Sequence, residues 1–478
     1  GGNDCEDEDD TINPGILDAW YDGIDSDCGG EDDYDADMDG YASDLYGGLD
    51  CADYEPGINP STPEYWNATD DNCLGGIDDF MVMGISPLVI TADQPIQLSF
   101  QAGLSTGDMN GDDVTDLVIA ADIGGFDAEG RAWVIDGSNP VTLMGAPDAI
   151  SAAQFSGAAA GNYLGTLGTH QQDHIGSARA DLLVAGTDIL GGYAMCLVDG
   201  ELLDGPVNCS DAEVRWTGAE SEFPHLINHL DINGDGLPEI IYADSWEGIG
   251  STGMVYAFDG SSVVGGDFDL SDDKDWRIDG RHAYDYVGSQ LGGGDINNDG
   301  YDDLMIGAYG DDHPDSKTGS VFVFNGSPDS PPTIRTAQFD KDIHIYGSES
   351  NAVVGSRNAP EVGDINGDGA ADLIVSSPGT KSVHIFYTSS DLVDGTHNTH
   401  SADVNIFGTS EADYFASGLA IGDVDGDDFD DVIVGAPDEE SPGSGGADTT
   451  GHAYLFFGGE IVDALLYASD AGAHFYGR

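Results

Sequence analysis

From about residue 99 the chain is a succession of short apolar runs separated by polar, glycine-rich loops. No 3.6-residue periodicity competes with the strands that these runs predict. Six runs share one form: DLVIAA, DLLVAG, EIIYAD, DLMIGA, DLIVSS and DVIVGA. Each is followed by a further apolar segment (GRAWVIDG, GYAMCLVDG, GMVYAFDG, GSVFVFNG, KSVHIFYT, GHAYLFFG), and each of those by a closing one (AAQFSG, EVRWTG, DWRIDG, DIHIYG, DVNIFG, GAHFYG). The polar loops ahead of the runs start at 108, 173, 231, 295, 364 and 423, at intervals of 65, 58, 64, 69 and 59 residues. That is the period of a four-stranded blade with generous loops. The expected fold is all-β, a β-propeller of six four-stranded blades over residues 99–478. A seventh blade is the alternative and needs residues beyond this sequence.

The loops carry the candidate chemistry. Five of them read DMNGDDVTD, DINGDGLPE, DINNDGYDD, DINGDGAAD and DVDGDDFDD. In the third, the side chains of Asp295, Asn297, Asp299 and Asp303 converge while the Tyr301 carbonyl offers a fifth oxygen. The same roles fall on Asp108, Asn110, Asp112 and Asp116; on Asp231, Asn233, Asp235 and Glu239; on Asp364, Asn366, Asp368 and Asp372; and on Asp423, Asp425, Asp427 and Asp431. Hard oxygen donors in a flexible loop favour Ca²⁺ over Mg²⁺, which demands a tighter octahedron. An Asx-rich turn without an ion would explain one such loop, but five in register favour about five calcium ions. Asp113 and Asp428 stand where the other loops have glycine, and aspartate tolerates the left-handed backbone needed there. The loop at 173, DHIGSARAD, has Ile175 and Ser177 at ligand positions, so its unit is expected to bind no ion.

These strings resemble the FG-GAP repeats of integrin α-subunit propellers and related bacterial proteins. The resemblance rests on an aromatic-Gly pair before the first strand, D-x-[DN]-x-D-G in the hairpin, and Gly435-Ala436-Pro437 after the second strand. It implies a calcium-loaded propeller.

Residues 1–78 form a second region, itself duplicated: GGNDCEDEDDTINPGILDAWYDGIDSDCGG is echoed from residue 47 by GGLDCADYEPGINPSTPEYWNATDDNCLGG. Residues 79–98 are a linker or a first strand. Each copy reads as a loop-rich knot closed by a disulfide, Cys5 to Cys28 and Cys51 to Cys73, with Cys196 to Cys209 in the second blade. Zinc is the alternative for the first four cysteines, although no CxxC spacing supports it. Between the copies, Asp33, Asp35, Asp37 and Asp39 precede Gly40, the front half of an EF-hand-like loop for one or more further calcium ions. Tyr46 stands at the twelfth position, so Asp44 or the Asp50 region has to complete the shell. The segment resembles the Asp/Cys-rich metal-binding motif repeats of secreted bacterial proteins. That family's pattern has a further Cys where this chain has Tyr21.

Charge narrows the partners. With 12 Lys and Arg against 91 Asp and Glu, the formal net charge is −79. Such a balance excludes nucleic acid and disfavours anionic membrane surfaces, leaving cations, a protein or glycan ligand, or self-association. The six cysteines imply an oxidising, extracellular compartment. No apolar run is long enough for a membrane helix, so no insertion is expected within this chain. No signal peptide opens the sequence, which reads as a mature or trimmed product. Sequons at Asn67, Asn208 and Asn325 matter only if the source glycosylates them. No nucleophile elbow, Walker loop or dinucleotide fingerprint occurs. His170 with His174, and His225 with His229, lack a third ligand to complete a site. No catalytic residue and no organic cofactor is expected; the sequence reads as a secreted adhesion, binding or assembly protein. The alternative is an extracellular enzyme acting on polysaccharides or phosphoesters from one propeller face.

Overall fold

The computed structural model describes residues 34–56 and, with short interruptions, 226–476, together with separate strands between 104 and 218 and scattered positions elsewhere. Two compact units emerge, Gly1–Leu88 and Val89–Arg478. Residues 108–115 and 170–181, with the loops at 108 and 173 but for Asp116, and the segment 79–98 lie outside the described residues.

Among the described residues of Val89–Arg478, six sheets follow one another along the chain, each built on a four-strand antiparallel meander. The third holds Leu226–Leu230, Glu239–Asp244, Met254–Phe258 and Trp276–Asp279; the fourth, Val287–Gly294, Asp303–Ala308, Ser320–Phe324 and Ile343–Tyr346. The fifth holds Glu361–Gly363, Asp372–Ser377, Ser382–Phe386 and Val404–Phe407; the sixth, Gly418–Gly422, Asp431–Ala436, His452–Phe456 and Ala473–Tyr476. All-β architecture is thus as expected, interrupted among the described residues by one four-residue α-helical turn, Ala337–Asp340, and a few 3₁₀ turns.

Burial explains why the second strands read as unbroken apolar runs rather than alternating ones. Glu239–Asp244, Asp303–Ala308 and Asp372–Ser377 are buried at every position. A strand covered on both faces has no solvent side on which to place polar residues. Ile241, Val255 and Ile278 of the third sheet pack with Ile306, Phe322 and Phe324 of the fourth. On the other face of the fourth sheet, Met305, Val321, Val323 and Ile345 pack with Leu373 and Val375 of the fifth. Ile374, Val383 and Ile385 then meet Val432, Val434 and Tyr454 of the sixth. One residue parity faces the preceding sheet and the other faces the next. This face-to-face stacking of successive meanders is the packing of β-propeller blades.

Each of the first five sheets also gains a fifth strand that the sequence pattern did not predict. Gly266–Asp269 runs parallel to Val214–Gly218, Ile334–Thr336 to Trp276–Asp279, Gly395–Asn398 to Ile343–Tyr346, and Leu465–Tyr467 to Val404–Phe407. Pro206–Val207 pairs likewise with Ala153–Ser156. Every such strand comes from the link between the third and fourth strands of the following unit. These edge strands are short and largely exposed, so they leave little apolar periodicity to read.

Hairpin register fixes where the acidic loops sit. Leu230 lies opposite Glu239, Gly294 opposite Asp303, Gly363 opposite Asp372 and Gly422 opposite Asp431. The last residue of the first strand therefore faces the ninth loop residue in these four hairpins, as Gly107 faces Asp116 in the first sheet, and the loops close the same end of their sheets.

In Gly1–Leu88 a parallel bridge joins Ser43 to Asp50, a 3₁₀ turn covers Asp44–Tyr46, and Cys51 is bonded to Cys73. Cys28 and Cys196 are also disulfide-bonded. Cys5 and Cys209 lie outside the described residues.

Candidate metal centres

The four described loops share one hydrogen-bond ladder. In the loop at 295, Asp295 Oδ1 accepts from the Asp299 N–H at 3.0 Å and its Oδ2 from Gly300 at 2.8 Å. Asn297 Oδ1 accepts from Asp299 at 2.9 Å, and Asp299 Oδ1 from Tyr301 at 3.0 Å. Matching bonds hold the loops at 231, 364 and 423. The ladder turns the side-chain oxygens of positions one, three and five inward, a carboxylate at one and five and an amide at three in all but the last loop. It requires left-handed backbone at position six, where Gly236, Gly300 and Gly369 have φ between 84° and 89°. Asp428 takes that place in the last loop at φ 70°, as expected of an aspartate.

Position nine closes each loop from below. Asp303 is fully buried; its Oδ2 accepts from Ile296 N–H at 3.0 Å and its Oδ1 from Gly326 N–H at 2.8 Å. Asp431 bonds Val424 and Gly458 in the same way, and Asp372 bonds Ile365 and Thr388. Asp423, Asp425 and Asp431 bring one carboxylate oxygen each within 4.8 Å of one another. Ligands at about 2.4 Å from one calcium lie no farther apart than that, so an all-oxygen donor set of this spacing suits a hard divalent cation.

Without a cation, burial pushes Glu239 up to about 8 and Asp303 and Asp372 up to about 7, backbone N–H donors partly opposing and neighbouring loop acids adding to the rise. In the unfolded chain these groups titrate near about 4. Between those values the native state keeps protons that the unfolded chain has lost, so metal-free stability is greatest at low pH and declines as pH rises through the window. In chelator the melting temperature is expected to fall between about pH 5 and pH 8, and calcium should reduce that decline by replacing the proton in the loops, leaving the part due to buried acids elsewhere such as Glu361. Melting curves at matched ionic strength check this; a chelated protein more stable at the higher pH would refute it.

Adjacent loops are fastened in pairs by residues the motif does not contain. Asp302 Oδ2 accepts from the Asp231 N–H at 2.9 Å, and the Asp302 N–H donates to the Asp231 carbonyl at 3.1 Å. Asp430 repeats both bonds on Asp364, at 2.8 and 3.0 Å. The Tyr301 ring lies against Gly234 and the Phe429 ring against Gly367, so close that a Cβ on either glycine would stand 2.4 or 2.2 Å from it. Loop 231 is thereby tied to loop 295, and loop 364 to loop 423. Positions seven and eight of loop 364 are Ala370 and Ala371, which offer neither ring nor carboxylate to loop 295.

The linker of the N-terminal unit forms the same ladder. Asp35 accepts from Asp39 at 3.1 Å and from Gly40 at 2.9 Å, and Asp39 accepts from Tyr41 at 2.9 Å. Asp35, Asp37 and Asp39 offer oxygens within 4.8 Å of one another. Asp33 lies outside the described residues. Position nine is Ser43, a residue with no carboxylate, and the fully buried Asp50 is bridged to it. Asp44 sits in the exposed 3₁₀ turn instead.

One cluster outside the loops has the composition of a hydrolase site. Ser320 Oγ lies 2.5 Å from Asp311 Oδ2 and 2.9 Å from His344 Nε2. The serine stands between acid and imidazole rather than next to a histidine oriented by the acid, and all three residues are buried. Its contacts join the start of Ser320–Phe324 to the neighbouring strand Ile343–Tyr346 and to Asp311. His170 and His174 fall outside the described residues, as does His225.

The FG-GAP repeat family matches residues 287–324 and 415–456, which contain the loops at 295 and 423 with their flanking strands. The chain carries FG-GAP repeats. The family described as "Putative metal-binding motif" matches residues 4–34 and 50–79, the two cysteine-bearing copies. A phosphatidylinositol-glycan-specific phospholipase D of Dictyostelium discoideum is 29% identical over 245 residues, 46% of this chain and 26% of that protein. Integrin alpha-PS5 of Drosophila melanogaster is 33% identical over 170 residues, 34% of this chain and 16% of that protein. The chain thus spans about a quarter or less of the length of these relatives. A solved WD40 domain of Toxoplasma gondii coronin aligns over 76% of this chain and 70% of its own, at 10% identity and a TM-score of 0.40.

The loops at 231 and 364 lie outside the matched stretches yet have the same ladder as those within them. The pairing residues Asp302, Asp430, Tyr301 and Phe429 were legible only as extra acids and aromatics in two of the loops. Their partners sit a whole blade earlier.

Proposed function

We propose that this is an extracellular protein whose propeller, six blades over residues 99–478, is held in shape by calcium and presents a binding or assembly surface without turnover. Residues 1–78 act as a second, separately metal-loaded module. The observation that carries the reading is the commitment of the loop acids: in the four described loops the carboxylates at positions one, five and nine bond backbone of their own or an adjacent hairpin. The metal ligands are those named above, with Asp35, Asp37 and Asp39 in the N-terminal unit. The integrin alpha relatives support a binding role, with a protein or glycan, or a second copy, as partner. A net charge of −79 makes copies repel at low salt, so association needs divalent bridging or a basic partner. Light scattering across a calcium titration is expected to show association of the full chain that a chelator reverses. A protein that stays monomeric throughout would remove self-assembly from the proposal.

The phospholipase D relatives favour a second reading, a phosphoester-active enzyme. Release of product from a glycosylated phosphatidylinositol by this chain alone would move that reading ahead of the first.

A further inference from the structure

The carboxylates of the N-terminal unit divide into two groups that share one member. Asp35, Asp37 and Asp39 form the first; Asp37, Asp50 and Asp53 form the second, again with oxygens within 4.8 Å of one another. Asp50 and Asp53 are 0% and 5% exposed, more deeply buried than any residue of the first group. Asp50 Oδ1 accepts from the Ala52 N–H at 2.8 Å, but its Oδ2 is buried without a hydrogen-bond partner, as are Asp37 Oδ2 and Asp39 Oδ2. Asp53 is held in place by the Ala36 N–H at 3.1 Å and by the Tyr21 hydroxyl, which donates to its Oδ2.

Two buried carboxylates and a part-buried one are costly without a counter-charge, and their own unit supplies no basic side chain. Residues 1–88 contain no Lys, Arg or His. Charge balance has to come from outside. The five acids carry −5; one divalent ion leaves −3 and two leave −1. Oxygens on one calcium lie within about 5 Å of each other, twice the ligand distance. Asp35 and Asp39 meet that limit with Asp37, and Asp50 and Asp53 meet it with Asp37.

We propose that residues 35–53 hold two divalent cations bridged by the Asp37 carboxylate: one in the Asp35–Asp39 loop, the second on Asp50 and Asp53. The first ion belongs to the function proposed above, on which this inference rests; the second is an additional site. It lies on neither matched stretch alone, since Asp37 falls between them and Asp50 and Asp53 open the second. Its ligands are hard oxygens, so calcium is the expected occupant. The consequence is mechanical. An ion on Asp50 and Asp53 fastens the residues flanking Cys51, and with them the disulfide-closed second copy, to the linker loop. Tyr21, at the place where the related pattern has a cysteine, anchors the same carboxylate from the first copy and stacks on Tyr46 at 4.7 Å.

Native mass spectrometry of the full chain in calcium tests this by counting ions. Asp53→Asn is expected to carry one ion fewer than the wild type, Asp35→Asn one fewer, and Asp37→Asn two fewer. An unchanged count in Asp53→Asn, or a loss of one ion in Asp37→Asn, overturns the second site. An unchanged count in Asp35→Asn fails the loop reading instead, so the two failures are distinguishable. Because substitution of a buried acid can disrupt this small unit, the wild type gives an independent arm. Anomalous scattering from terbium-loaded crystals of the full chain is expected to show two peaks about 4 Å apart on either side of Asp37, the usual separation of carboxylate-bridged pairs. A single peak there refutes the proposal.

Discussion

In excess chelator the main thermal transition is expected to fall by on the order of 10 °C or more. Each ion held at a free concentration a thousandfold above its Kd stabilises the native state by about 4 kcal/mol. Four described loops would contribute several times that if each is filled. Removing the ions also leaves Asp423, Asp425 and Asp431 with oxygens within 4.8 Å of one another and no cation between them. The pairing of loops 231 with 295 and 364 with 423 adds a signature: ions should leave in two steps rather than four as chelator strength rises. Differential scanning calorimetry across a calcium series decides the matter. A melting temperature indifferent to chelator would sink the calcium assignment, whereas loss in four independent steps would spare it and discard the coupling.

The second large effect separates what the ion does from what the ligand does. Asp299 and Asp303 belong to one loop, but Asp299 touches only its own exposed turn, whereas Asp303 is buried and satisfies the N–H groups of Ile296 and Gly326. Asp299→Ala should reduce stability in calcium by removing one ion, weaken loop 231 through Tyr301 and Asp302, and cost little in chelator. Asp303→Ala should remain destabilised in chelator too, because two buried donors lose their acceptor at about 1–3 kcal/mol each. Urea denaturation of both variants, with calcium and with chelator, measures the difference. Equal stabilities in chelator would mean that Asp303 acts through the metal alone.

The blade pattern was visible in the sequence because a β-strand and its loop are local objects. A run such as DLMIGA needs only its own residues to be read as a strand, and D-x-N-x-D-G needs only its own spacing to turn carboxylates toward one point. The spacing within each loop and the left-handed role of Asp428 followed from separations of nine residues or fewer, and the four-strand meander from the recurrence of one pattern along the chain. The cysteines read equally well where a copy is self-contained, as for Cys51 and Cys73.

What the sequence left open depends on residues brought together from far apart. The fifth strand of each sheet comes from the next unit, so Gly395–Asn398 finds its partner Ile343–Tyr346 only once the sheets have stacked. Asp302 and Asp430 look like surplus acids until the hairpin before them is placed beneath their carboxylates, 71 and 66 residues back. Of the two acids weighed for the N-terminal loop, Asp50 is buried and bridged to Ser43 while Asp44 stands in solvent, a difference that the local sequence does not carry. Asp53 and Tyr21 had no local signal at all, one being an acid among many and the other a missing cysteine. The sequence alone determined the repeated hairpins and their oxygen-rich loops, because local geometry suffices for both. Tertiary structure decided which loops are fastened together and which acids are buried, because those depend on contacts between blades and between copies.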